Sequence, residues 1–164
     1  MSAPGNVRAA EATRDTWETP AALFDLLNAE FRFTLDAAAD ESNRKCERWL
    51  EGPHQDEAFP WCGCGLCADW MEHTVWLNPP YGKGIEEWIW KCKNASERGA
   101  VVVALLPANT DTQWFHRLWF TTGELRFLTG RVQFVGTTSS NPGGSVVAVF
   151  RPGGPRVALW DWKS

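Results

Sequence analysis

The run Val101-Val102-Val103-Ala104-Leu105-Leu106 limits this chain more than any other segment. Six apolar residues without polar alternation suit a strand covered on both faces, as in sheets flanked by helices on each side. Pro107 closes the run, and a helix is expected from about Asp111 to Phe120. Upstream, Thr74-Val75-Trp76-Leu77 predicts a second strand and Ile85 to Arg98 a helix. Thr19-Pro20, a hydroxyl followed by proline, predicts a capped helix that runs through Leu23, Leu26 and Leu27 to about Glu30. Phe31 to Leu35 alternates as a strand ending at Asp36, and Ala37 to Arg48 predicts a loop and short helix before a weak strand at Trp49-Leu50. Further strands are expected at 124–128, 131–135, 145–150 and Val157 to Trp160. Strands alternating with helices predict an α/β sheet, and ligands in such sheets bind beyond the carboxyl ends of the strands. That rule sets Asp36, Asn78 and Pro107 along one edge.

With 164 residues the chain suits one domain with a core of its own. The reading is a flexible segment over 1–16 and a single domain over 17–164, with an irregular Cys-rich loop at 51–73. Five cysteines, no signal peptide and no apolar run of membrane-spanning length predict a reduced, cytoplasmic protein with no membrane partner. A net charge of −4 argues against a strongly basic nucleic-acid surface, but Arg117, Arg126 and Arg131 could form a local patch. Eleven tryptophans exceed what stacking on a ligand needs, so most are assigned to packing.

The segment with the clearest chemistry is Asn78-Pro79-Pro80-Tyr81, between the 74–77 strand and the Gly82-Lys83-Gly84 step into a helix. Two prolines stiffen the loop by fixing φ and pressing the preceding residues into extended conformations. The Asn78 side-chain oxygen and the Pro79 carbonyl can then converge on one external donor, with Tyr81 as a flat surface. This suits a planar exocyclic amine held with its lone pair toward an electrophile. A plain proline turn is the competing reading of the same residues.

With Trp17-Glu18-Thr19-Pro20, Thr34-Leu35-Asp36-Ala37-Ala38-Ala39-Asp40, Asn43, Cys46, Asp56, Leu106 to Thr112, Trp114-Phe115 and Gly130 to Phe134 added, the chain resembles the phage-type Dam family of DNA N6-adenine methyltransferases. The resemblance runs from about Trp17 to Phe150. It implies a compact Rossmann-like, S-adenosylmethionine-dependent fold, and no separate target-recognition domain is visible in the sequence. It also implies a flipped adenine whose N6 is held by Asn78 and Pro79, with Pro80 stiffening the loop and Tyr81 stacking. Thr19, Pro20, Asp36, Asp56 and Asn78 are the implied cofactor contacts, and Lys83 and Arg131 candidate DNA phosphate contacts. The Gly-rich cofactor loop of larger methyltransferases is replaced by Ala37-Ala38-Ala39. DNA is the expected partner, and recognition would fall to loops, a homodimer or a partner subunit. Cytosine N4, RNA adenine and a catalytically idle binding module of the same fold remain as alternatives.

Cys62, Cys64 and Cys67, with His73 downstream and Cys46 and His54 upstream, could hold a structural zinc, but the spacing is not that of paired Cys-x-x-Cys knuckles. Non-ligating thiols in a Gly-rich loop are the favoured reading. Cys92 and His116 lie on expected helices and are assigned to packing.

Overall fold

A computed structural model describes residues 17–52, 64–82, 84–137, 141–152 and 156–163. Its elements in chain order are α1 (Ala21–Phe31), β1 (Leu35–Asp36), β2 (Thr74–Leu77), α2 (Ile85–Glu97), β3 (Val101–Pro107), α3 (Gln113–Thr121), β4 (Glu124–Leu128), β5 (Ser145–Phe150) and β6 (Arg156–Trp160). They form a mixed α/β fold around one six-stranded sheet in the order β1-β2-β3-β5-β4-β6. Strands β1, β2 and β3 are parallel neighbours, β4 and β6 are parallel, and β5 runs antiparallel to both β3 and β4. Five described strands therefore point one way, and their carboxyl ends share one edge with the start of β5.

The apolar run of β3 is buried on both faces as its composition requires. Val102, Ala104 and Leu106 pack with Ile85, Trp88 and Ile89 of α2 and with Phe115 and Leu118 of α3. Val103 and Leu105 point the opposite way, into a cluster with Leu23, Phe24 and Leu27 of α1 and with Val132 and Phe134. Side chains that alternate along a strand thus feed two cores, one under each helical layer. Among the described residues no helix is long and apolar enough to cross a membrane.

Several local expectations are corrected. The cap position of α1 is Pro20, in an extended conformation (φ −57°, ψ 136°), and no side chain caps the helix. Pro20 is therefore not the first helical residue, and the Thr19 hydroxyl is instead buried without a partner. Phe31 closes α1 rather than opening a strand, because Arg32 turns left-handed (φ 57°) and donates to the Asn28 carbonyl. The Asn28 side chain also accepts from the Phe33 amide at 2.9 Å, and the strand starts only at Leu35. Between 37 and 48 there are turns and no helix. Trp49 makes a single parallel bridge to Asp36. Residues 131–135 alternate in burial, with Val132 and Phe134 inside, yet among the described residues their strand pairing is one bridge from Val135 to Glu18.

Candidate active site

Asp36 ends β1 and Asn78 follows β2, so the parallel pairing of these strands sets the two side chains at the same edge. A narrow cleft there, of about 10 Å³, is lined by Trp17, Glu18, Thr19, Asp36, Ala38, Asn43, Lys45, Trp76 and Asn78. Ala38 and Asn43 also line a second cleft of about 220 Å³, together with Ala39, Asp40, Glu51, Gly52 and Pro80. The turn that carries Ala37, Ala38 and Ala39 therefore separates two adjoining recesses, each reached from the sheet edge.

Asp36 is only 2% exposed. Its carboxylate accepts from the Lys45 amide at 2.9 Å and from the Ala38 amide at 3.4 Å. Burial outweighs these bonds and pushes its pKa up to about 6. A carboxylate in that position suits a ligand that brings hydroxyl or ammonium donors. The nearby Cys46 thiol is pushed up to about 12, by burial first and then by the Asp36 charge, which makes it a poor nucleophile. Asp40 organises the following turn: its carboxylate accepts from the Ser42 amide at 2.7 Å, and its own amide donates to the Asn43 side chain at 2.8 Å.

In the proline loop, Asn78 donates its side-chain amide to the Trp17 carbonyl at 2.7 Å, leaving the Oδ1 end as the acceptor. Pro79 is buried and Pro80 half-buried. Tyr81 is drawn inward, its hydroxyl donating to the Leu105 carbonyl at 3.1 Å and its ring edge-on to Trp17 and Phe134. Burial holds the phenol well above its usual pKa, so it stays neutral. Thr19 is 1% exposed with its hydroxyl unpartnered, while Pro20 is half-buried at the mouth of α1.

The structure therefore brings Thr19, Pro20, Asp36, Asn78, Pro79, Pro80 and Tyr81 into one neighbourhood. Arg131 lies at the same edge, exposed, after β4. The basic patch does not form: Arg117 pairs with Glu86 at 2.9 Å, and Arg126 with Glu30 and Glu124 at 2.6 and 2.7 Å. Lys163, absent from the sequence reading, donates to the Arg131 carbonyl at 3.4 Å and stands 5.2 Å from the Trp162 ring. Only the β4–β6 pairing brings these residues together, so spacing along the chain could not reveal them.

Asp56, Lys83, Cys62 and His54 lie outside the described residues. Among the described residues no group of three or more His, Cys, Asp or Glu could hold a metal, and the His73 ring is paired with the Thr34 hydroxyl at 3.0 Å. The His116 ring meets the Thr110 carbonyl at 2.7 Å and closes the approach to α3. A cleft of about 300 Å³ lies elsewhere, between α2 and α3. It is lined by Ile89, Trp90, Trp114 and Phe120, with the Glu86–Arg117 pair at its rim. It is roomier, but its Glu86 and Arg117 are paired with each other and it holds none of Thr19, Asp36 or Asn78, so the sheet edge is the candidate site.

A family model described as DNA N-6-adenine-methyltransferase (Dam) matches residues 6–162. The chain belongs to the Dam family. A Dam relative from Haemophilus phage HP1 (strain HP1c1), named DNA N-6-adenine-methyltransferase, is 26% identical over 157 residues, which is 91% of this chain and 86% of that protein. A protein of the same name from Escherichia phage T1 is 32% identical over 106 residues, covering 64% of this chain and 41% of the T1 protein. The Dam match includes the β1, β2 and β3 ends and the 130–136 segment, and ends one residue before Lys163.

Proposed function

We propose that this Dam-family chain transfers a methyl group from S-adenosylmethionine to the exocyclic N6 of adenine in DNA, on a Rossmann-like sheet. The observation that carries this reading is the Asn78 side chain, whose nitrogen is taken by the Trp17 carbonyl so that its oxygen is left to accept from an amine. The single antiparallel strand β5 between β3 and β4, beside a parallel β1-β2-β3 half, supports the fold assignment.

The cofactor cleft is tested by its own groups. A buried carboxylate with a raised pKa and a buried hydroxyl without a partner both call for polar ligand atoms. Asp36, Thr19 and the backbone around Ala38 would hold S-adenosylmethionine, with Pro20 at the entrance and Asp56 a further candidate. The bound cofactor supplies an electrophilic methyl group on a sulfonium. The residues of the chain then do the positioning. Asn78 Oδ1 and the Pro79 carbonyl accept the two amine hydrogens and aim the nitrogen lone pair. Pro80 keeps the loop from relaxing. Such orientation supplies about 7–11 kcal/mol in favourable reactions. As positive charge grows on the nitrogen, both acceptors strengthen. Tyr81 offers only the exposed part of its ring to a flipped base, since its hydroxyl is committed to Leu105. Arg131, Lys163 and Lys83 are the proposed phosphate contacts.

In an assay of methyl transfer to unmethylated DNA, Asn78→Ala is expected to lower kcat by at least about 100-fold, as for loss of a transition-state acceptor. Calorimetric affinity for S-adenosylmethionine should stay within about threefold, less than one hydrogen bond contributes. Arg131→Ala in the same assay should raise the KM for DNA and leave kcat unchanged. Normal turnover by Asn78→Ala would rule out the proposed role of the loop.

A further inference from the structure

We infer that Trp17 and Phe134 are positioning residues for the transfer loop: the Trp17 carbonyl, held in place by the Phe134 ring, sets which end of the Asn78 amide faces the substrate. This rests on the role given to Asn78 above. The final torsion of an asparagine is broad and nearly two-fold, so the rotamer alone does not choose between oxygen and nitrogen outward. With nitrogen outward the residue would offer an amine two hydrogens, the wrong polarity for binding it. A carbonyl placed behind the amide decides the matter, because it accepts the NH₂ end and repels the oxygen end. The Trp17 carbonyl stands at 2.7 Å from Asn78 Nδ2 and is that group.

The carbonyl can select an orientation only if it is itself fixed, and the strap that carries it is tied on several sides. The Trp17 ring stacks on Phe134 with centroids 4.9 Å apart and planes 24° apart. Phe134 is 2% exposed. The next amide, on Val135, donates to the Glu18 carbonyl at 2.9 Å. The Glu18 carboxylate in turn accepts from the Lys45 ammonium at 2.7 Å, and the Lys45 amide holds Asp36. Tyr81 completes the clamp, its ring 6.5 Å from Trp17 and 6.1 Å from Phe134. This also accounts for the 131–135 segment, which has the burial pattern of a strand but whose one described strand bridge is to the strap. Val132 and Phe134 anchor it in the core, and the Asn141 amide pins it at the Val132 carbonyl, 3.0 Å away. Its one bridge then falls on Glu18, beside the carbonyl that orients Asn78.

Asn78→Asp tests this directly, since it keeps an oxygen toward the amine and replaces the donor facing Trp17 with an acceptor. Its kcat at about pH 8 should fall at least about tenfold, with the KM for S-adenosylmethionine within about twofold. Relative to wild type, which carries the same Asp36, activity should recover as pH falls and a protonated carboxyl regains a donor for the Trp17 carbonyl. A readout independent of turnover is the Asn78 side-chain amide in the full chain labelled with ¹⁵N-asparagine, assigned from its loss in Asn78→Asp. One of its protons should exchange slowly in wild type and quickly in Phe134→Leu, which keeps an apolar side chain and loses the stack. An Asp variant with wild-type kcat and pH profile would overturn the inference, as would amide protons that exchange like those of an exposed asparagine. A protected amide in a chain that transfers no methyl group would sink the catalytic reading and leave the orientation by Trp17 standing.

Discussion

Asp36 is the residue whose surroundings say most about what this site would bind. Its carboxyl is buried beneath the 36–45 turn, and two backbone donors do not restore what water provided. The folded pKa of about 6 lies above the ordinary carboxylate value of 3.8. The folded state therefore binds the proton more tightly than the unfolded state. The associated stability is complete below about pH 4 and is lost as pH rises through 6. By that linkage Asp36→Asn should raise the stability of the ligand-free protein at pH 8 by up to roughly 3 kcal/mol and flatten its dependence between about pH 4 and 7. Urea unfolding at several pH values checks this. Calorimetry on the same variant should show at least about tenfold weaker S-adenosylmethionine binding, the cost of a lost charge-assisted bond. An unchanged pH slope would show that Asp36 is not the buried charge described. At this scale the positions of Asp36 and the Asn78 loop could be read from the sequence, because each lies at the carboxyl end of a strand. Thr19 carries two sequence expectations, a helix cap and, through the resemblance, a cofactor contact; the structure removes the cap and leaves the hydroxyl buried and unpartnered.

Among the elements, helices and central strands were readable, and the extended segments at 31–35 and 131–135 were not. Both carry alternating apolar residues, and both bury them as the alternation demands. What fails is the ladder: Asn28 takes the Arg32 and Phe33 amides of one segment, and the other makes one described strand bridge, to Glu18. Periodicity reports a face and not a ladder. The Ala37-Ala38-Ala39 turn is itself approached closely by a glycine, Gly65, packed against the Ala37 carbonyl. A Cβ on Gly65 would lie 1.9 Å from the Ala37 carbonyl oxygen and 2.7 Å from the Trp88 ring. Gly65→Ala should therefore cost about 1–3 kcal/mol, measured by urea unfolding. Gly52→Ala, with open space around its Cβ, should change stability by less than about 0.5 kcal/mol. Equal effects at the two positions would contradict the close packing described for Gly65.

Across the whole molecule, the site is assembled from segments that the chain keeps far apart. Residues 17–20 arrive with α1, 36–45 with β1 and 78–81 with β2, and the parallel half of the sheet brings them to one edge. Arg131 and Lys163 reach that edge from the other half, through β4 and β6. The rule that ligands bind beyond the carboxyl ends of strands placed Asp36 and Asn78 from the sequence alone, whereas Lys163 depends on a pairing that no local pattern encodes. The net charge of −4 also fits this arrangement, in which Arg117 and Arg126 are consumed by ion pairs and a small number of cations remain at the edge that would face DNA. The most direct test is transfer of a labelled methyl group from S-adenosylmethionine to unmethylated DNA, followed by digestion and mass analysis of the nucleosides. Label recovered as N6-methyldeoxyadenosine is the predicted result, whereas label in N4-methyldeoxycytidine, or none in DNA despite measurable cofactor binding, would contradict the account.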